Sequence, residues 1–269
     1  MKTIVITGAT SGIGKALVEF FAKDNRVFAG YRNENHIDAL KKIGAIPFFI
    51  DMTVRESIDN ASEFIKSQTN NIDTLINVAG CVVAGVVETL EVDRIRHQFE
   101  VNTFSHIEFT QKLLDLLNGG KIINISSMAS FGVFPFVGPY CASKRALDIL
   151  FTSFYNETKR DVKVVSVKPG VIATPLWEKS IDINKNSIDN CIGFEKEMNF
   201  MVCNAKKNQV KGLAVEKVVE LISRINDMNN PKASYTIGFD AKIAELISHL
   251  PQDLINKLVR FNLKRRIRR

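Results

Sequence analysis

Tyr140 and Lys144 stand four residues apart in the run PYCASKRAL. The run has helical periodicity, so the two side chains share one helix face. An ammonium fixed beside a phenol favours the phenolate, which lets the phenol give or take a proton nearer neutral pH. That is chemistry suited to a carbonyl/alcohol pair. The spacing alone also fits simple packing and solvated charge, so its meaning depends on the rest of the chain.

A second constellation opens the sequence. Lys2 to Thr7 (KTIVIT) is a short β-branched run leading into Gly8-Ala9-Thr10-Ser11-Gly12-Ile13-Gly14, after which Lys15 to Lys23 reads as a helix. Strand, glycine turn and helix form a context in which backbone amides meet a pyrophosphate. Gly8 permits the tight turn, and Gly12 lets the backbone approach a phosphate at the helix start. Gly14 allows the helix to pack closely on the strand.

These residues need a frame that holds them. The pattern predicts strands near 3–7, 26–30, 46–50, 72–76, 120–125, 162–168 and 234–238. It predicts helices near 12–24, 35–43, 54–69, 88–117, 139–160 and 214–228. Unbroken apolar runs such as IPFFI (46–50) and KIINI (121–125) suit a parallel sheet covered on both faces. Strand–helix alternation then gives a doubly wound α/β sheet with ligands at the carboxyl ends of its strands. Residues 175–212 break the alternation with polar sequence and interspersed apolar residues. Residues 241–263 read as one or two terminal helices split around Pro251. No repeat or interdomain linker is evident, so one domain is expected over 1–245, followed by a helix and tail over 246–269.

Composition narrows the function classes. Cys81, Cys141, Cys191 and Cys203 show no CxxC spacing, and His36, His97, His106 and His249 are scattered. No metal site or disulfide framework is expected, and the thiols read as those of a reducing, cytoplasmic setting. The first strand begins at residue 2 or 3, which leaves no room for a signal peptide. No apolar run approaches the length of a bilayer span. The formal net charge is +7. Lys257, Arg260, Lys264, Arg265, Arg266, Arg268 and Arg269 lie in a terminal stretch without a carboxylate. Setting those seven aside leaves 29 of the 36 cations against 29 carboxylates, so the excess lies entirely in the tail. A neutral body without interleaved aromatics argues against nucleic acid as a partner. Leu254, Ile255, Leu258, Phe261 and Leu263 recur near helical spacing among the tail's cations. They suit either an interfacial helix on an anionic membrane or a helix packed on the domain or a partner subunit.

TGATSGIG (Thr7–Gly14), NVAG (Asn77–Gly80), YCASK (Tyr140–Lys144) and PG (Pro169-Gly170) occur in the order typical of short-chain dehydrogenases/reductases. The chain resembles that family closely over about residues 1–175 and loosely to about 245. The resemblance implies a Rossmann-type sheet in a single domain, with 175–212 as a helical substrate-binding insert. It implies Tyr140 as general acid/base, with Lys144 easing its proton and bonding the nicotinamide ribose. The family serine 13 residues before the tyrosine falls on Ser127, which would bond the carbonyl oxygen; Ser126 and Ser130 are nearby alternatives. Asn102 in FEVNTF would support a water-linked proton path to the lysine.

The cofactor contacts implied are Gly8, Thr10, Ser11, Gly12, Ile13 and Gly14 at the pyrophosphate, and Asp51 with Met52 at the adenine. Asp51 reads alternatively as a cap for the helix near Val54. Asn77, Ala79 and Gly80 line the strand end, where Asn77 is mainly architectural. Pro169, Gly170, Ile172 and Thr174 would hold the carboxamide and pyrophosphate. At the end of the second strand the resemblance puts Tyr31 and then Arg32 where NAD users carry an acid. This favours NADP(H), although many NADP users also carry a basic residue where this chain has Ser11. The expected activity is oxidoreduction of a carbonyl/alcohol pair, on an apolar substrate of steroid, retinoid or lipid type. A reductase of small polar ketones and a silent cofactor-binding scaffold are the alternatives, and intact Tyr140, Lys144 and Ser127 weigh against the second. Relatives are commonly homodimers or homotetramers.

Overall fold

Apolar strands too short to bury themselves alone assemble here into one parallel sheet. The computed structural model describes residues 1–189 and 191–267, and the side chains of Trp177 and Arg266 lie outside what is described, as do Arg268 and Arg269 of the basic run. The strands are β1 (Thr3–Ile6), β2 (Arg26–Tyr31), β3 (Ile46–Phe49), β4 (Thr74–Asn77), β5 (Lys121–Ile125), β6 (Lys163–Pro169) and β7 (Ser234–Ile237). They run parallel in the order β3-β2-β1-β4-β5-β6-β7. The connecting helices are α1 (Gly12–Phe21), α2 (Ile37–Lys42), α3 (Arg55–Gln68), α4 (Val92–Phe99), α5 (Ser105–Leu113) and α6 (Gly138–Glu157). The insert supplies α7 (Leu176–Ile183), α8 (Lys185–Asp189) and α9 (Glu195–Lys211). After them come α10 (Val215–Asp227), α11 (Phe239–Ile247) and α12 (Gln252–Ile267).

Alternation along β1 divides the core. Ile4 and Ile6 turn to one face with Leu17 and Val18 of α1 and Val218, Ile222 and Ile225 of α10. Val5 turns to the other, with Ile58 and Ile65 of α3, Phe109 and Leu113 of α5, and Leu147 and Phe151 of α6. Each such side chain contributes about 1.5–3 kcal/mol by leaving water. Strand order reverses beside β1, which pairs with both β2 and β4. That reversal opens a crevice at the carboxyl ends of the strands.

The helix expected over 88–117 is interrupted. Between α4 and α5, Glu100–Phe104 forms a π turn. The wider turn is anchored by side chains reaching out of the helix: Asn102 bonds the Cys81 backbone, and the Thr103 hydroxyl donates to the Ser143 carbonyl at 2.9 Å. Such turns occur often beside functional sites. The terminal helices divide at Pro251 as expected. The apolar residues of α12 split between two faces, however: Ile255 is 9 % exposed, whereas Leu254, Leu258 and Phe261 are 43 %, 40 % and 65 % exposed. Among the described residues no helix is long and apolar enough to cross a membrane.

Candidate active site

The crevice deepens into a cavity of about 1140 Å³. Its floor is the glycine turn between β1 and α1. Gly8 has φ +63°, and a side-chain carbon there would lie 2.8 Å from the Ala79 Cα, so the turn and the end of β4 can touch only through glycine. A side-chain carbon on Gly14 would come within 2.1 Å of the Gly8 carbonyl oxygen. The Ala9 amide donates to the Gly30 carbonyl at 3.0 Å, which staples the turn to β2. Ser11 is the N-cap of α1 but makes no side-chain cap hydrogen bond. Its Oγ instead accepts from Lys179 Nζ of α7 at 3.2 Å. The first amides of α1 therefore point toward the cavity without a side-chain cap, an arrangement fitted to a phosphate.

Thr10, Ser11, Gly12, Ile13, Tyr31, Arg32, Asp51, Met52, Ala79 and Gly80 line this end. The Asp51 carboxylate accepts from the Thr53 amide at 2.9 Å and its hydroxyl at 2.7 Å. It is thus turned away from the capping role at α3 that the sequence also allowed, and Val54 is the N-cap there. Burial would raise the Asp51 carboxyl, but the Thr53 hydrogen bonds, with Arg32 and His97 nearby, outweigh it and hold the group below the usual range.

The far end gathers the candidate catalytic groups. Ser127, Tyr140 and Lys144 line the same wall, with Ser126 beside them. Ser127 follows β5 and caps the short 3₁₀ turn Met128–Phe131, accepting from the Ala129 amide at 3.1 Å. Its hydroxyl also acts on the Tyr140 phenol, whose pKa it lowers. Ser130 turns away and donates to the Ser127 carbonyl at 2.9 Å. Tyr140 lies in the first turn of α6, and burial pushes its phenol up to about 12 against the lowering effect of Ser127. Lys144, one turn on, is 4 % exposed and donates to the Ile125 carbonyl at 2.8 Å. Burial brings it down to about 8, against the opposing charge of Asp148. The expected lowering of the phenol by its neighbour is not seen: desolvation is the largest effect on both groups, and the ammonium donates to a backbone carbonyl.

Asn77, Asn102 and Gly14 stand behind the cavity wall. Asn77 Nδ2 donates to Asn124 Oδ1 at 2.8 Å, tying β4 to β5. Asn102 Oδ1 accepts from the Cys81 amide at 2.9 Å and Nδ2 donates to the Cys81 carbonyl at 3.1 Å. A side-chain carbon on Gly80 would meet Asn102 Oδ1 at 3.4 Å and Lys144 Nζ at 3.7 Å, so these groups converge on one point. Pro169, Gly170, Ile172 and Thr174 complete the wall beyond β6.

Several positioning residues carry no local sequence signal. His106 is buried and donates from Nε2 to the Ala79 carbonyl at 2.8 Å; burial, with Lys144 nearby, brings it down to about 3 and keeps it neutral. Asp240 of α11 accepts from the Val171 amide at 2.7 Å and holds the segment after β6. Buried Asn184 accepts from the Ala84 amide at 2.9 Å and donates to the Val82 carbonyl at 2.7 Å, clipping the insert to the segment after β4. The remaining wall is largely apolar: Val82, Phe134 and Phe136, then Leu176, Ile181 and Phe200 of the insert, then Ile243 and Ile247 of α11 and Ile255, Val259 and Leu263 of α12.

With this geometry in view, the short chain dehydrogenase family profile matches residues 2–185. The chain belongs to the short-chain dehydrogenase/reductase family. It is 30 % identical to the NADPH-dependent 3-dehydrocapnine reductase of Ornithobacterium rhinotracheale, over 98 % of each chain. It is also 30 % identical to the probable short-chain type dehydrogenase/reductase VdlC of Helicobacter pylori strain J99, over 95 % of this chain and 96 % of that one. A short-chain dehydrogenase structure from Streptomyces avermitilis superposes with a TM-score of 0.78 at 22 % identity, covering 98 % and 97 % of the two chains, a likeness of fold. The chain is thus an oxidoreductase of the short-chain class, acting on alcohol and carbonyl groups.

Proposed function

We propose that this enzyme is an NADP(H)-dependent reductase of an apolar carbonyl compound, with Tyr140 as its proton donor. The observation that carries the reading is continuity: one cavity joins the glycine turn, the Ser127–Tyr140–Lys144 wall and an apolar lining from three helical segments. Gly8 to Gly14 suit the pyrophosphate, Asp51 and Met52 the adenine side, and Pro169, Gly170, Ile172 and Thr174 the carboxamide side. Tyr31 and Arg32 at the end of β2 present no acid to a ribose 2′-phosphate, and the guanidinium can pair with one. A full-length relative whose name states NADPH dependence supports the same choice. When bound, NADPH supplies the hydride. Ser127 and Tyr140 hold the substrate oxygen, and the phenol delivers a proton as negative charge develops there. Lys144 stabilises the phenolate left behind, with Asn102 fixing the backbone at its side.

An NADPH-consumption screen over steroids, retinoids, long-chain aldehydes, keto-lipids and small polar ketones tests this. Turnover of the apolar classes with NADPH preferred over NADH is expected. Turnover confined to small polar ketones, a preference for NADH, or no turnover at all overturns it.

The proposal extends to where such a substrate is met. Leu254, Leu258 and Phe261 form an exposed apolar face on α12, bordered by Lys257, Arg260, Lys264 and Arg265, while the opposite face lines the cavity. An apolar face ringed by cations suits an anionic membrane surface. Exposed Phe104, Ile149 and Leu150 on the π turn and α6 suit contact with a second copy in a homodimer or homotetramer.

A further inference from the structure

The glycine turn lacks a basic residue of its own, and the fold brings one to it. Lys179 belongs to α7, in the insert that follows β6, yet its ammonium donates to Ser11 Oγ at 3.2 Å, 168 residues away in sequence. We infer that Lys179 is a second reader of the cofactor's 2′-phosphate, acting together with Arg32. This inference rests on the NADP(H) reading above.

Three observations carry it. Ser11 caps α1 without spending its side chain on the helix, so its hydroxyl proton is free to serve a ligand while its oxygen holds the ammonium. Lys179 has no carboxylate within ion-pair distance among the described residues, so its remaining N–H donors are not committed to an acid. The turn is stapled to β2 through the Ala9 amide and Gly30 carbonyl, and Tyr31 and Arg32 follow Gly30 directly. Ser11, Arg32 and Lys179 line the same cavity. Both cations thus line the cavity onto which the end of β2 opens, Arg32 from just past the strand end and Lys179 delivered by the insert to the glycine turn. A dianionic phosphate between them gains charge-assisted hydrogen bonds from both.

The arrangement also links the two ligands. Leu176, Ser180, Ile181 and Ile183 of the same helix line the substrate part of the cavity. A phosphate held by Lys179 therefore fixes α7 against the glycine turn and steadies that wall before substrate enters.

Equilibrium titration of NADPH and NADH, by nucleotide fluorescence at low salt, separates the possibilities in wild type, Lys179→Gln, Lys179→Arg and Arg32→Ala. Lys179 is exposed, so the Gln variant should fold like wild type. We expect Lys179→Gln to raise the NADPH Kd about tenfold and the NADH Kd less than about twofold, a loss on the scale of one charge-assisted contact. Lys179→Arg should keep most of the preference, and the wild-type advantage for NADPH should shrink at about 0.5 M salt. Equal weakening of both nucleotides would put the ammonium on the pyrophosphate and overturn the inference. So would an unchanged NADPH Kd in Lys179→Gln while Arg32→Ala still loses its preference. If wild type itself binds NADH as tightly as NADPH, the NADP(H) reading falls, and the inference falls with it.

Discussion

At Tyr140, burial and hydrogen bonding pull in opposite directions, and burial prevails. A phenol near 12 keeps its proton throughout the neutral range, which readies it as a donor in reduction. The reverse reaction needs the phenolate. Oxidative turnover should therefore climb with pH while reductive turnover does not, as paired rate profiles between about pH 6 and 10 would show. Tyr140→Phe keeps the ring and removes the donor. It should abolish turnover while leaving NADPH binding near wild type in a direct titration. Lys144 carries a cost in stability. Its folded value of about 8 lies below the 10.5 of an ordinary lysine. Below about 8 the folded and unfolded chains both hold the proton, and the burial cost is fully present. Between those two values the folded chain gives it up first, so the contribution to stability rises with pH through that window. In Lys144→Met this rise should vanish, which difference melts against wild type would reveal. The sequence exposed Tyr140, Lys144 and the glycine turn because each sits in a local run with its own spacing. Lys179, Asn184 and Asp240 had no such run. Their partners lie 168, 100 and 69 residues away, and only the folded chain brings them together.

Among the elements, strands and most helices were legible because period and apolar runs are local properties. The π turn was not. EVNTF contains neither proline nor glycine, and the break is set by what Asn102 and Thr103 find on other segments. The insert was recognisable by its loss of alternation, but its attachment was not. Asn184 fastens it, bonding Ala84, Val82, Ser180 and Arg94 from a fully buried position. Asn184→Ala strands the Ala84 amide and the Val82 carbonyl, at a local cost of about 2–4 kcal/mol. Hydrogen exchange should show α7 and α8 opening more readily, with the sheet unchanged. At α12 the two apolar faces can be tested apart. Leu258→Ser with Phe261→Ser touches only the exposed one. The double variant should lose co-sedimentation with anionic vesicles and keep wild-type turnover of a soluble substrate. Retained vesicle binding would exclude this face as the membrane contact.

Across the whole molecule, the cavity is built from parts that span nearly the entire chain, from Gly8 to Leu263. Periodicity could place α12 at the end of the sequence, but not against α9 and the cavity mouth, because its inward residues Ile255, Val259 and Leu263 share a helix with outward Leu254, Leu258 and Phe261. On the apolar-substrate reading proposed above, that wall would set the length of chain the cavity accepts. Val259→Trp should shorten the apolar channel without touching Tyr140 or the glycine turn. KM for a long-chain carbonyl should then rise about tenfold or more, since several methylenes lose their place at about 0.8 kcal/mol each. A small ketone should be turned over as before. Equal effects on both substrates would move the long-chain site elsewhere.

The contact of Gly14 with the Gly8 carbonyl limits how this enzyme can diverge. With only 2.1 Å available for an added carbon, the cradle admits no graded change: even a methyl group drives the first turn of α1 off the strand. On the reading proposed above, cofactor preference would be set at the rim, by Tyr31, Arg32 and Lys179, and not in the cradle. An engineer seeking NADH specificity would leave the glycines alone and exchange charge at those three positions.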